Sequence, residues 1–192
     1  MKKIIWPLLL CAVLCGCGGA KAETGNAVQE QYRTLETARL EAAVTSHTST
    51  DSRTFTLVCS YDADGDAVTT VTAPGELAGL TAVVSGTDMT LSSEGLQLPA
   101  GASLDICPAN CLPYLLRALA EGYVLEQGGE TLEDSPCLRL TLDTTAPGGG
   151  KVLCAVWLDA EGLFPRYAEF SRNEQVVLTV KLLAFTCTTS EG

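Results

Sequence analysis

The segment Leu14-Cys15-Gly16-Cys17 carries the most specific chemistry in this chain. A Leu, a small residue and a Gly ahead of a Cys form the pattern of the bacterial lipobox, in which the cysteine after the cleavage point receives a diacylglyceryl group on its sulfur. The segment follows Met1-Lys2-Lys3 and an apolar run over residues 4–14, which is the layout of a secretory signal. That run is shorter than the ~20 apolar residues a bilayer span needs, and no later stretch is long and apolar enough. Residues 1–16 are therefore read as a signal peptide, and Cys17 as the lipidated first residue of the mature chain. This implies a cell-membrane anchor on the extracytoplasmic face. The plain alternative is an ordinary secretory signal that ends in cysteine.

The other cysteines fall into two groups. Cys11 and Cys15 leave with the signal, whereas Cys59, Cys107, Cys111, Cys137, Cys154 and Cys187 remain. An even number in an exported chain fits disulfides, and six allow about fifteen pairings. Cys137 and Cys154 flank a Gly-rich hairpin near Pro147, so they are expected on the same side of neighbouring strands as a bonded pair. Cys107 and Cys111 are the second candidate pair, closing a small loop where a helix begins, although a regular helix offers poor geometry for such a bond. Buried free thiols, acting as small apolar side chains, are the alternative for Cys59 and Cys187. Cys107-x-x-x-Cys111 is also half of a zinc site, but no second ligand pair follows and His47 is the only histidine. No metal or other cofactor is expected.

Catalytic patterns are missing. There is no Gly-x-Ser-x-Gly elbow, no His-Glu-x-x-His and no phosphate loop, since Gly148-Gly149-Gly150-Lys151 lacks the first glycine at the required spacing. Asp62-Ala63-Asp64-Gly65-Asp66 imitates a calcium loop, but Ala67 and Ala73 stand where an EF-hand needs Gly and Glu, so it reads as a hairpin turn. A nucleophile normally needs a base, and His47 sits among Ser and Thr near a strand end. No catalytic residue is assigned, and the chain is not read as an enzyme. Its 12 basic and 23 acidic residues give a net charge of −11. Loss of Lys2 and Lys3 with the signal makes this about −13. Nucleic acid, which demands clustered Lys and Arg, is excluded as a partner. An anionic membrane surface would also repel the domain, so the two acyl chains must do the holding.

Roughly 175 mature residues suffice for one domain with a real core. Residues 17–25 are small and polar and read as lipidated Cys plus flexible tether, leaving residues 26–192 as the domain. Val28, Tyr32 and Leu35 fall on one stripe, predicting a helix over 26–37 with Asn26 as its cap. From Ala38 the period drops to two. Short alternating runs punctuated by Gly, Asn, Asp and Pro continue to the end, interrupted by a helix over 108–121 with Leu112, Leu115, Leu116 and Leu119 on one face. Gly122 caps that helix, and Pro113 delays or kinks its start. The pattern gives about eleven strands and two helices, a mainly β (α+β) up-and-down antiparallel sheet. The apolar residues could simply fill a core, or leave a cleft.

The stretch over 157–169, Trp-Leu-Asp-Ala-Glu-Gly-Leu-Phe-Pro-Arg-Tyr-Ala-Glu, resembles a motif of LolA-like lipoprotein-carrier proteins. In that motif a strand ends in Trp-x-Asp, turns through a Gly-Leu-Pro-like sequence and resumes with a basic residue and Glu. Phe164, inserted before Pro165, departs from it. The element order is similar too. The resemblance implies a strongly curved, unclosed antiparallel β-barrel with helices across the open side. It also implies an apolar concavity that holds a lipid, a lipoprotein's acyl chains or another hydrophobic ligand. Leu57, Val71, Leu115 and Leu119 are the residues expected to line it, and Arg53 is the nearest match to the carriers' cargo-capturing basic residue. An acidic, lipidated chain is also similar to germination lipoproteins of the GerS type. That implies a second possibility, an envelope protein partner such as a cell-wall or spore-cortex amidase.

Overall fold

The structure is a computed structural model, and it describes residues 19–102, 105–146 and 149–190. Cys17 and the predicted signal lie outside the described residues. The chain forms α1 (Gly19–Arg33), β1 (Leu35–His47), β2 (Ser52–Asp62), β3 (Ala67–Ala73), a 3-10 turn (Gly75–Leu77), β4 (Thr81–Ser85), β5 (Asp88–Ser93) and β6 (Leu96–Ala102). After these come α2 (Cys111–Glu121), β7 (Tyr123–Leu132), β8 (Ser135–Thr145), β9 (Lys151–Asp159), β10 (Pro165–Arg172) and β11 (Gln175–Thr189).

All eleven strands join one antiparallel sheet in the order β6-β5-β4-β3-β2-β1-β11-β10-β9-β8-β7. Successive strands are neighbours in the sheet except β6 and β7, and one pair of non-successive strands, β1 and β11, also lies side by side. The pairing of β1 with β11 joins the chain's two ends, and α2 carries the chain from one edge strand, β6, to the other, β7. The sheet is not closed. Leu57 of β2 and Val156 of β9 share a single buried cluster with the leucines of α2, so the sheet bends around the helix. This is the mainly β, unclosed architecture the sequence implies.

The period-two pattern explains which face is buried. Ala38, Leu40, Ala42 and Val44 of β1, and Val152, Cys154, Val156 and Leu158 of β9, are all buried, with polar or half-exposed residues between them. Leu112, Leu115, Leu116 and Leu119 of α2 meet them from the other side and are themselves buried. Tyr114 stacks edge-on to Phe170 at 5.8 Å and shares a hydrogen bond of 2.9 Å with the Thr144 hydroxyl.

Both helices start elsewhere than the periodicity predicts. α1 begins at Gly19 and ends at Arg33, so the residues from Gly19 to Gly25 read as tether are helical, Asn26 is interior rather than a cap, and Leu35 opens β1. α2 begins at Cys111 because residues 108–110 form a turn fixed by the buried Asn110. The Asn110 side chain accepts from the Cys107 amide at 2.8 Å and donates to the Asp105 carbonyl at 2.8 Å. Pro113 then lies in the first helical turn, where amides have no intrahelical acceptor, so its missing N–H costs nothing. Gly122 ends the helix for a steric reason. A Cβ there would stand 2.5 Å from the Ala118 carbonyl oxygen and 3.2 Å from Leu142 Cβ.

The segment over 157–169 works as a clamp. The Asp159 carboxylate accepts from the amides of Gly162 at 2.8 Å and Glu161 at 3.0 Å, which holds that carboxyl below its ordinary range. The turn thus fixed presents two carbonyls to α1: Gln31 donates to that of Gly162 at 3.2 Å, and Tyr32 to that of Leu163 at 3.0 Å. Asp62-to-Asp66 is the hairpin turn expected, with the Asp64 amide donating to Asp62 Oδ1 at 3.0 Å.

Candidate functional site

The buried face of the sheet is not covered evenly. One cross-strand row runs Leu40–Cys59–Thr69–Ala82–Leu91–Leu98, from β1 out to β6. Its first four members are buried, Leu91 is half-buried, and Leu98 at the edge is 67 % exposed. Along this row the side chains shrink to Thr and Ala just where α2 no longer reaches. The result is an apolar cavity of about 200 Å³.

Its floor is Leu57, Thr69, Val71 and Ala82, its outer wall Leu91, and its mouth Phe55 with Leu77 and Leu80 of the 3-10 turn region. The opposite wall is Cys107-Pro108-Ala109, the turn held by Asn110. An ion pair between Asp105 and Arg172 of β10 fixes the start of that turn to the sheet. Among the described lining residues the one hydroxyl, that of Thr69, is 2 % exposed, and its Oγ1 has no nitrogen or oxygen partner. The thiol of Cys59 lies across the ladder from it. Burial pushes that thiol up to about 11, partly opposed by the Thr69 hydroxyl, and burial also raises the Cys107 thiol. Neither is a thiolate near neutral pH, so the cavity offers enclosure rather than nucleophilic chemistry.

Of the four residues expected to line the concavity, Leu57 and Val71 line this cavity, whereas Leu115 and Leu119 of α2 are fully buried in the core. Sequence reasoning missed Phe55, Thr69, Leu77, Leu80, Ala82 and Leu91. The usable signal was the exchange of Leu and Val for Thr69 and Ala82 at inward-facing positions. Arg53 stands at the mouth: its guanidinium lies 5.6 Å over the Phe55 ring and pairs with Glu76 at 2.9 Å, both side chains being well exposed.

The cysteine expectations need correcting. All six described cysteines are free thiols. Cys154 pairs with Leu142 and faces the core, while Cys137 pairs with Asp159 five positions along and, with Arg139 and Trp157, faces the other side of the sheet. Opposite faces and a separation of about 17 Å at strand rise put the pair beyond bonding reach. Cys107 and Cys111 are a helical turn apart, with the Cys111 amide donating to the Cys107 carbonyl at 3.0 Å, and both are free. Among the described residues, no group of three or more His, Cys, Asp or Glu is placed to hold a metal ion. His47 bonds the hydroxyls of Ser52 at 3.0 Å and Thr179 at 3.2 Å.

A second, larger bay of about 440 Å³ is lined by Arg39, Ser60, Asp62, Asp66 and Thr188 among others. Ala38, Tyr61, Val68 and Cys187 also line it, but it is a wide, open bay with Arg39, Asp62 and Asp66 in its walls, and it does not exclude water from an apolar guest.

No protein-family model matches the chain, and no curated protein matches it in sequence. Solved structures do match in fold. A candidate outer membrane lipoprotein-sorting protein domain from Vibrio parahaemolyticus aligns over 89 % of this chain and 92 % of its own, at 11 % identity and TM-score 0.50. A DUF1329 family protein from Desulfovibrio piger aligns over 88 % and 94 %, at 14 % identity and TM-score 0.50. A conserved protein from Thermus thermophilus aligns over 88 % and 89 %, at 10 % identity and TM-score 0.51. The shared feature is the fold, and it is the LolA-like fold.

Proposed function

We propose that the chain is an extracytoplasmic lipoprotein, anchored through a diacylglyceryl group on Cys17, that holds a lipid or acyl chain in the concavity and catalyses no reaction. The observation that carries this reading is the apolar cavity between β2–β5 and the turn before α2. Its size sets the guest. An engineered cavity of about 150 Å³ takes one benzene, so about 200 Å³ takes the last six or so carbons of a chain. At about 0.8 kcal/mol per methylene those contribute about 5 kcal/mol, a dissociation constant between millimolar and micromolar. Tighter binding needs the chain to continue over Leu91, Leu98 and Leu96, which extend the same apolar face to the β6 edge. A polar head group would then find Arg53 at the mouth. The Arg53–Glu76 pair is exposed and so worth no more than about 1 kcal/mol, which makes it easy for an anionic head to displace Glu76.

The test uses the exported chain with Cys17→Ala, free of its own acyl groups. Native mass spectrometry should find bound lipid, and fatty acids should displace an environment-sensitive apolar dye. An empty protein from which saturating fatty acid displaces no dye would sink the reading.

A second reading, docking of an envelope enzyme such as an amidase, is favoured by β6. It is an edge strand with an unpaired side, and Leu96 is 73 % exposed. An empty cavity together with stoichiometric capture of an amidase, abolished by Leu96→Lys, would support it instead.

A further inference from the structure

The edge opposite the cavity mouth carries its own exposed apolar residues. On β7, Tyr123 is 73 % and Leu125 47 % exposed. They line a shallow basin of about 460 Å³ together with Gly25 and Asn26 of α1. A Cβ on Gly25 would stand 3.7 Å from Val124 and 2.7 Å from the Gln127 side chain. The N-terminal half of α1 therefore lies against the start of β7. The other end of α1 is held by the β9–β10 turn, through Gln31 and Tyr32.

The chain outside the described residues says what meets this patch. Gly19 is two residues from Cys17, at most about 7 Å along the chain, and Gly25 lies about 9 Å further along the helix. A lipid on Cys17 thus enters the bilayer within about 16 Å of Gly25, and the basin at Tyr123 is drawn to the membrane surface. The other end of α1, with Phe164 beside it, lies about 12 Å further along the helix from the anchor than Gly25 does. Tyrosine, with an apolar ring and a polar tip, suits the headgroup boundary. Glu121 and Glu126 beside the patch suit a zwitterionic surface better than an anionic one.

We propose that Tyr123 and Leu125 form the membrane-contact face of the anchored protein and fix its orientation on the bilayer. The inference rests on lipidation of Cys17. The test is depth-resolved quenching of tryptophan in the full-length, lipidated chain on phosphatidylcholine vesicles with brominated acyl chains. Tyr123→Trp and Phe164→Trp are each compared with the parent, whose Trp157 gives the background. Both positions are exposed, so the fold should tolerate either change. The expected result is quenching of Tyr123→Trp at least threefold stronger than that of Phe164→Trp, with both proteins floating with the vesicles. Flotation with equal quenching, with stronger quenching at 164, or with none at 123 overturns the orientation but leaves the anchor standing. Failure of the lipidated chain to float overturns the anchor and this inference with it.

Discussion

Strands β8–β10 and β3–β5 present the same alternating pattern to the same concave face, yet the first set is sealed and the second is half open. On β8–β10 the inward residues are mostly bulky: Leu140, Leu142, Val152, Val156, Leu158 and Phe170, with Cys154 and Ala168 among them, all fully buried. The leucines of α2 interlock with them, and α1 clamps the far end through the 159–164 turn. On β3–β5 the inward residues are Ala67, Thr69, Ala82, Val84, Met89 and Leu91, and only a 3-10 turn and three residues before α2 lean over them. Side-chain volume and helix reach together decide where a core ends and a cavity begins. If the two halves do different jobs, stability should reside in one and binding in the other.

The largest break should come in the sealed half. Leu119→Ala removes a fully buried side chain from the core cluster that α2 shares with the sheet, and should cost about 3 kcal/mol in urea unfolding. At the cavity wall, Leu91→Trp fills space instead of emptying it. It should weaken dye or fatty-acid binding at least tenfold, about 1.4 kcal/mol, while leaving the unfolding midpoint nearly in place. A Leu91→Trp protein that binds normally would mean the guest sits elsewhere. A smaller and opposite effect is expected on the floor. Thr69→Val keeps the shape but deletes a buried hydroxyl with no oxygen or nitrogen partner, so it should raise stability by about 1 kcal/mol. A clear destabilisation would show that the hydroxyl's contact with Cys59 matters more than its burial costs.

The two halves were also unequally legible in the sequence. The strands, the leucine stripe of α2 and the Asp62 turn could be read because period and turn chemistry are local. The cavity could not be located that way. Leu115 and Leu119 are inward-facing leucines of a helix as Leu57 is of a strand, and what separates core from cavity wall is whether another element lies opposite. The start of α2 was hidden for a related reason: Asn110 holds a turn through the Cys107 amide and the Asp105 carbonyl, and Pro108 alone looked like a helix start. Cys137 lies five positions from the register that would set it beside Cys154, an odd shift that also changes its face. A hairpin centred near Pro147 suggested a shared face, but the actual register pairs Cys137 with Asp159 and sends it to the other side. A one-residue error in a strand exchanges faces completely.

The finest comparison sets two Asp turns against each other. Asp159 receives two backbone amides in the sealed half, and its turn is gripped by α1; Asp62 receives one side-chain bond, from Asp64, beside the open half. The folded state lowers the Asp159 carboxyl because the Gly162 and Glu161 amides favour its charged form. The unfolded carboxyl titrates near its ordinary value of about 3.9. A group lowered on folding adds stability that is complete above that value and is lost as pH falls through the folded one. Asp159→Asn keeps an acceptor oxygen but loses the charge. Its unfolding midpoint should therefore lie below the parent's at pH 6, approach it as pH falls through the lowered folded value, and fall less steeply between. Asp62→Asn, at a carboxylate that accepts one backbone amide, should lower the midpoint at pH 6 less. Equal curves for the two variants would mean that the clamp on α1 contributes nothing beyond an ordinary hairpin turn, and that leucine packing alone holds the sealed half shut.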